Sequence, residues 1–237
     1  MCAREFPPEA TRRAPSEGGA ALTRRVWVAG VVGTGLGLSA QSAFAGGQIE
    51  EPLADAVRTA LSAAIANDAI PRPVFPSTDE RLAYLRWLGS LSEQLRRQER
   101  EPGTRQRLLE TVWYESRRAG LEPALVLGLI EVESGFRRYA ISSVGARGYM
   151  QVMPFWARTI GDGDASRLFH MQTNLRFGCV ILRHYLDVER GDVFYALGRY
   201  NGSRGRPEYP NAVLAARKRW LLRPEAASAP QVATSGL

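Results

Sequence analysis

Glu131 and Glu133 lie two positions apart in an otherwise apolar stretch, Leu129 to Phe136. A carboxyl group poised between its neutral and charged forms can deliver a proton and take it back. Enzymes that break glycosidic bonds ordinarily place two such groups across the bond. The two acids could therefore be a catalytic pair, one working acid with a bystander, or two solvated charges. Helical geometry removes the pair: each residue advances about 100°, so the side chains are turned roughly 200° apart and cannot converge on one bond. Glu133 shares a stripe with Val126, Leu129 and Ile130, at the edge of the core-facing side. Burial there disfavours the charged form and suits a general acid working near neutrality. Glu131 stacks over Leu127 and Gly128 and reads as a solvated or structurally paired acid. On periodicity alone, a capping or salt-bridged Glu133 near a helix end stays open.

The elements that must position these acids are helical. Glu122-Pro123 opens a helix over about 123–134, with proline at a first-turn position where its missing N–H costs nothing. Upstream, 104–120 reads as a helix ended by Gly120. Residues 46–103 form a helical prelude of two amphipathic stretches separated by "PRPVFP", whose prolines forbid continuation. Downstream come a glycine-rich turn, "SSVGARG", and a short helix, "MPFWARTIG". A long helix capped by Thr173 or Asn174 follows, then "DVFYALGRYNG", then a closing helix from Pro207 to Leu222. No segment longer than five residues alternates convincingly as a strand, and no internal repeat is evident. The class is mainly α, a helical domain over 104–222 with an N-terminal helical extension over 46–103. Residues 223–237 form a polar tail expected to be disordered.

The first 45 residues read as an export signal. Arg24-Arg25 end a charged leader, Val26 to Leu38 form an apolar run too short to span a bilayer, and Ala43-Phe44-Ala45 supplies the small residues a signal peptidase reads. Cleavage near Ala45 would give a periplasmic product without a transmembrane segment; an uncleaved anchor is the competing reading. The paired arginines leave both the general and the twin-arginine export routes open. Cys2 would leave with the leader, so Cys179 has no partner for an internal disulfide. The chain carries 31 basic and 24 acidic residues, a formal net charge of +7, with Lys218 the one lysine. That balance favours polyanionic partners such as cell-wall polymer or a membrane surface. Charges interspersed with acids on an exported chain argue against nucleic acid.

Three further stretches carry polar groups suited to a cleft. "GARGYMQVMP" (145–154) sets Gln151 among Met150, Val152 and Met153, behind glycines that would let backbone approach a ligand. "TNLRFG" begins at Thr173. "ALGRYNG" (196–202) places Tyr200 and Asn201 at a helix end. Singly, Gln151 also reads as a capped loop residue and Tyr200 as core or surface. Together with Glu133-Ser134-Gly135-Phe136, in this order and spacing, they resemble the soluble lytic transglycosylase domain, a goose-lysozyme-like fold, over about residues 106–221.

The resemblance implies non-hydrolytic cleavage of the β-1,4 link between N-acetylmuramic acid and N-acetylglucosamine in peptidoglycan, giving 1,6-anhydromuramyl products. It implies Glu133 as acid and then base, with Gln151 and Tyr200 contacting glycan and Ser134, Met150 and Asn201 as weaker carry-overs. Tyr200 would hydrogen-bond near Glu133 or the substrate's N-acetyl group. Arg147 and Tyr149 stand where that family is usually apolar and would alter the cleft rim. Tyr149, Phe155, Trp156 and Tyr209 could stack on sugars, Phe155 and Trp156 reading more naturally as packing residues. The resemblance calls for no cofactor, and His170 and His184 lie in no ligand-spaced cluster, so no metal is expected. Two other functions remain: a non-catalytic glycan-binding or secretion-system scaffold, with cell-envelope machinery as its partner, and a hydrolytic muramidase. The muramidase would need a second carboxylate, for which Asp162 and Asp164 are the suspects, though both read as turn residues.

Overall fold

The computed structural model describes residues 48–66 and 73–222; the expected export signal and C-terminal tail lie outside the described residues, Gln48 aside no part of the segment before residue 49 being covered. Eight α-helices and one 3-10 turn make up its regular structure: α1 (Asp55–Ile65), α2 (Thr78–Leu95), α3 (Pro102–Arg118), α4 (Pro123–Ser134), α5 (Pro154–Ile160), the 3-10 turn Ala165–Phe169, α6 (Met171–Val188), α7 (Val193–Asn201) and α8 (Glu208–Trp220). Strand character among the described residues is limited to isolated bridges, Ile141 with Arg147 and Arg147 with Val152. The mainly α class expected from the sequence is the class observed.

Local chemistry sets most helix ends. The Ser77 hydroxyl accepts the Glu80 amide at the start of α2, Glu101 accepts the Gly103 amide at the start of α3, and Asp192 accepts the Tyr195 amide at the start of α7. These side chains satisfy amides that have no intrahelical partner. Proline opens α3, α4 and α5. The long helix α6 departs from expectation: it begins at Met171 with His170 as its cap. Asn174 does not cap it. Its side chain is buried, accepts the Met150 amide at 2.8 Å and donates to the carbonyls of Arg147 and Leu168, both at 2.8 Å. A residue that reads as a cap is thus the staple holding the 145–154 turn onto α6.

The most extensive helix contact is between α4 and α8. It is close because Gly128 faces the α8 backbone: a Cβ built there would lie 2.6 Å from the Arg217 amide nitrogen and 2.9 Å from its Cα. At the ends of this contact Arg217 pairs with Glu122, and Phe136 packs edge-on against Trp220. On the other side, α3 is joined to α6 by a buried ion pair. Arg176 Nε and Nη2 donate to Glu115 Oε1 at 3.0 and 2.8 Å, and Arg118 adds a 3.4 Å contact to Oε2. The extension helices pack on the same core, α2 against α3 through Tyr84, Trp87 and Trp113, and α1 against α5 and α6. Cys179 is buried, and burial pushes its thiol well above the ordinary range, so it is an inert core residue.

Candidate active site

Glu133 sits in the last turn of α4, just before Gly135, whose positive φ of 57° ends the helix. The residue is 3% exposed. Oε1 accepts a hydrogen bond from the Tyr209 hydroxyl at 2.5 Å, and Oε2 is sealed from solvent with no hydrogen-bond partner among the described residues. Removal from water raises the Glu133 pKa to about 8, against the smaller lowering effect of the Tyr209 hydrogen bond. No cation figures among the causes. The group is therefore a neutral acid at pH 7.

Glu131, half a turn away, engages other chemistry. Its Oε1 accepts from Arg219 at 2.6 Å and its Oε2 from the Trp220 indole N–H at 2.6 Å. Both partners end α8, whereas Tyr209 begins it, about 16 Å away along that helix at 1.5 Å per residue. The expected division into one buried acid and one structurally paired acid is the division observed.

Of the remaining sequence candidates, Ser134, Met150, Gln151 and Tyr200 gather around the 145–154 turn. The Ser134 hydroxyl donates to the Tyr149 carbonyl at 2.7 Å and to the Ile130 carbonyl at 3.2 Å, tying the end of α4 to the turn. Met150 is buried against α6, where Gly178 leaves room for its sulfur. Gln151 is 3% exposed with a φ of 47°, a left-handed conformation uncommon outside glycine. Its amide nitrogen donates to the carbonyls of Gly148 and Ala140 at 2.9 and 3.2 Å, so the side chain closes its own turn. Asn201 donates to the Ser203 hydroxyl, and its buried Oδ1 has no hydrogen-bond partner among the described residues.

Tyr200 corrects one expectation. Its hydroxyl donates to the Met150 carbonyl at 2.8 Å and not to Glu133. Burial raises its pKa, and the Glu133 charge raises it further, so the two groups are neighbours without being bonded. The phenol bonded to Glu133 is Tyr209, which the sequence offered only as a sugar-stacking aromatic. Nothing in its spacing from Glu133, 76 residues away, signals the pairing. The stacking expectation fails as well: Tyr149, Phe155, Trp156 and Tyr209 are each at most 7% exposed, so they offer no ring face to a sugar. Tyr149 is therefore core and not rim. Arg147 reaches the Ala165 carbonyl and covers Phe169. Gly148, read as allowing backbone to approach a ligand, instead allows approach to Asn174 and the Leu168 carbonyl.

Asp162 and Asp164 behave as turn residues. Asp162 accepts the Asp164 amide and pairs with Arg167, while Asp164 accepts from Ser166 and opens the 3-10 turn. Among the described residues, no group of three or more His, Cys, Asp or Glu side chains is arranged to hold a metal ion.

A mainly helical domain with a buried, neutral glutamic acid at a helix end is the class that these features define. Residues 110–220 match the family model of the transglycosylase SLT domain. A transglycosylase of Enterobacteria phage PRD1 is 35% identical over 100 residues, covering 42% of this chain and 36% of the phage protein. The membrane-bound lytic murein transglycosylase C of Actinobacillus pleuropneumoniae serotype 5b is 40% identical over 75 residues, or 28% of this chain and 20% of that protein. Its counterpart in Haemophilus ducreyi is 43% identical over 105 residues, 38% of this chain and 29% of its own length. The chain thus spans about a fifth to a third of these relatives. Among solved structures, an inactive mutant of the lytic transglycosylase Slt from Pseudomonas aeruginosa aligns with a TM-score of 0.43 at 22% identity, over 59% of this chain and 29% of that one.

Proposed function

We propose that the chain is a peptidoglycan lytic transglycosylase in which Glu133 alone serves as acid and then base. The observation that carries this reading is the state of Glu133: buried, with a pKa of about 8, oriented by Tyr209 through one oxygen and holding the other without a partner. A neutral carboxylic acid at pH 7 can donate a proton to the glycosidic oxygen, which is the demand on a general acid. The other acids are committed elsewhere, Glu131 to Arg219 and Trp220, and Asp162 and Asp164 to their turn. This favours a single-acid mechanism over a hydrolytic muramidase.

In that mechanism the Glu133 proton passes to the glycosidic oxygen as the bond from it to C1 of N-acetylmuramic acid breaks. The substrate's N-acetyl carbonyl shields the positive charge at C1. The muramic acid C6 hydroxyl then closes onto C1 and gives its proton to the Glu133 carboxylate, which restores the acid. No water is consumed. Tyr209 holds Oε1 in place, while Tyr200 and Gln151 fix the 145–154 turn beneath the glycan. The domain boundaries we assign are an export signal over 1–45, the extension over 46–103, the catalytic domain over 104–222 and a tail over 223–237. Peptidoglycan as substrate and the cell envelope as location follow from the same reading.

The deciding experiment is mass analysis of products released from purified peptidoglycan. Products lacking the added water, with 1,6-anhydromuramyl ends, are expected. Reducing-end muramic acid would replace the reading by hydrolysis, and no turnover would replace it by a glycan-binding scaffold.

A further inference from the structure

A general acid must come within hydrogen-bonding reach of the oxygen it protonates. Glu133 is 3% exposed and its unpartnered Oε2 is sealed, so some element must move before a glycan can meet it. The helices around it are poor candidates, because α4 and α8 approach backbone to backbone at Gly128 and α3 and α6 share a buried ion pair. The extended segment 48–54, which precedes α1, is held far more lightly.

Gln48 is the one buried residue at the start of this segment, 5% exposed, whereas Ile49 to Pro52 are exposed. Its carboxamide oxygen accepts the Met153 amide at 3.3 Å, and its nitrogen donates to the Gln151 carbonyl at 3.5 Å. The same stretch of backbone receives the Tyr200 hydroxyl at the Met150 carbonyl and the hydroxyl of Ser134, the neighbour of Glu133, at the Tyr149 carbonyl. The side chain therefore enters the same locus as the acid, from a part of the sequence 103 residues away from Gln151. Both Gln48 hydrogen bonds are longer than the usual N–H···O distance and correspondingly weak. Beyond Gln48 the segment is fixed by a half-exposed ion pair, Glu51 to Arg199 at 3.1 Å, and by partly buried Leu53.

We propose that residues 48–54 are a displaceable strap, with Gln48 as the plug that closes the Glu133 site and the Glu51–Arg199 pair as its outer clasp. The proposal rests on the functional reading above and adds a regulatory step to it. Here the Gln48 carboxamide uses an N–H donor and a C=O acceptor, and the acetamido group of an N-acetylated sugar also carries one of each. A glycan strand bearing such groups therefore competes with Gln48 for the Gln151 carbonyl and the Met153 amide. While the strap is closed, the open fraction limits apparent affinity, because an observed dissociation constant is the intrinsic one divided by that fraction.

The test uses the full chain and two substitutions, Gln48→Ala and Glu51→Ala, neither of which touches the acid or its phenol. An oligomer of β-1,4-linked N-acetylglucosamine serves as the binding probe and purified peptidoglycan as the substrate. Loss of the two Gln48 hydrogen bonds should lower the dissociation constant and KM by about 5-fold with kcat unchanged, at the modest net value of such bonds. Glu51→Ala should act in the same direction by a smaller factor, as an exposed pair contributes little. Cleavage after Glu50 by a glutamate-specific protease should quicken when the unmutated chain is saturated with the oligomer. A purely structural role for Gln48 would instead raise KM or leave it unaltered. Glycan binding that neither substitution tightens, or unchanged cleavage at Glu50 on saturation, would overturn the strap alone. Failure of every form to bind glycan or act on peptidoglycan would overturn the functional reading and the strap with it.

Discussion

The Tyr209 hydroxyl donates to Oε1 of Glu133, joining the first turn of α8 to the last turn of α4 and leaving Oε2 as the free face of the acid. This hydrogen bond favours the charged carboxylate and is the one cause that lowers a pKa otherwise raised by burial. Tyr209→Phe should therefore raise the Glu133 pKa above about 8 and move the alkaline limb of the kcat/KM profile to higher pH. The rate at the optimum should fall by about 10-fold as Oε1 loses its anchor. A pH–rate series on the two proteins checks both effects.

Glu133→Gln keeps the shape of the side chain and its acceptor for Tyr209 but can neither give nor recover a proton. Turnover of peptidoglycan should drop by roughly 10²–10⁴-fold, the usual worth of a general acid–base. Glu131→Gln keeps most activity, since its partners Arg219 and Trp220 lie at the far end of α8. Its cost should be under about 1 kcal/mol, because Arg219 is largely exposed. Initial rates and melting curves of the two variants separate the roles.

Stability should also report the buried acid. An unfolded-state glutamate titrates near its ordinary value of 4.5 and the folded one at about 8. Between those values the native state holds more protons than the unfolded one, so Glu133 makes stability fall as pH rises through that window and level off above it. The contribution is on the order of a few kcal/mol at pH 8. Glu133→Gln should remove this dependence and melt higher than the unmutated chain at pH 8, with little difference at pH 4.5. Equal melting shifts at both pH values would count against a neutral acid.

The Glu115–Arg176 pair links α3 to α6 with side chains at 0% and 2% exposure. Glu115→Leu removes that carboxylate from a buried guanidinium and should cost about 3–5 kcal/mol, the usual penalty for breaking a buried pair. Denaturant unfolding measures it directly.

If the export signal is cleaved near Ala45, mass spectrometry of the chain recovered from its native cell envelope should find a form beginning near Gly46. A full-length cytoplasmic product would overturn that assignment.

The orientation of the two glutamates was legible in the sequence because it depends only on the 100° step of a helix and an apolar stripe, both local properties. Helix order and most boundaries were legible for the same reason, through Pro123, Gly120 and the proline-rich break before α2. What escaped were contacts across long chain separations. Asn174 looked like a helix cap because asparagine is a good one, yet its amide is spent on the 145–154 turn. Tyr209 was legible as an aromatic near the site but not as the partner of Glu133, and Gln48 carried no signal at all, since a glutamine in a polar stretch is ordinarily solvated. The stacking role given to four aromatics failed because burial of a large ring is the commoner use of its area.

Gly128 sets how finely the acid can be tuned. With no side chain between α4 and α8 at this one point, the spacing of the two helices is set there by main chain resting on main chain. Gly128→Ala would wedge the helices apart by a methyl group and detune proton affinity without touching either titrating residue. The acid strength of this site is thus written partly at a position that has no functional group.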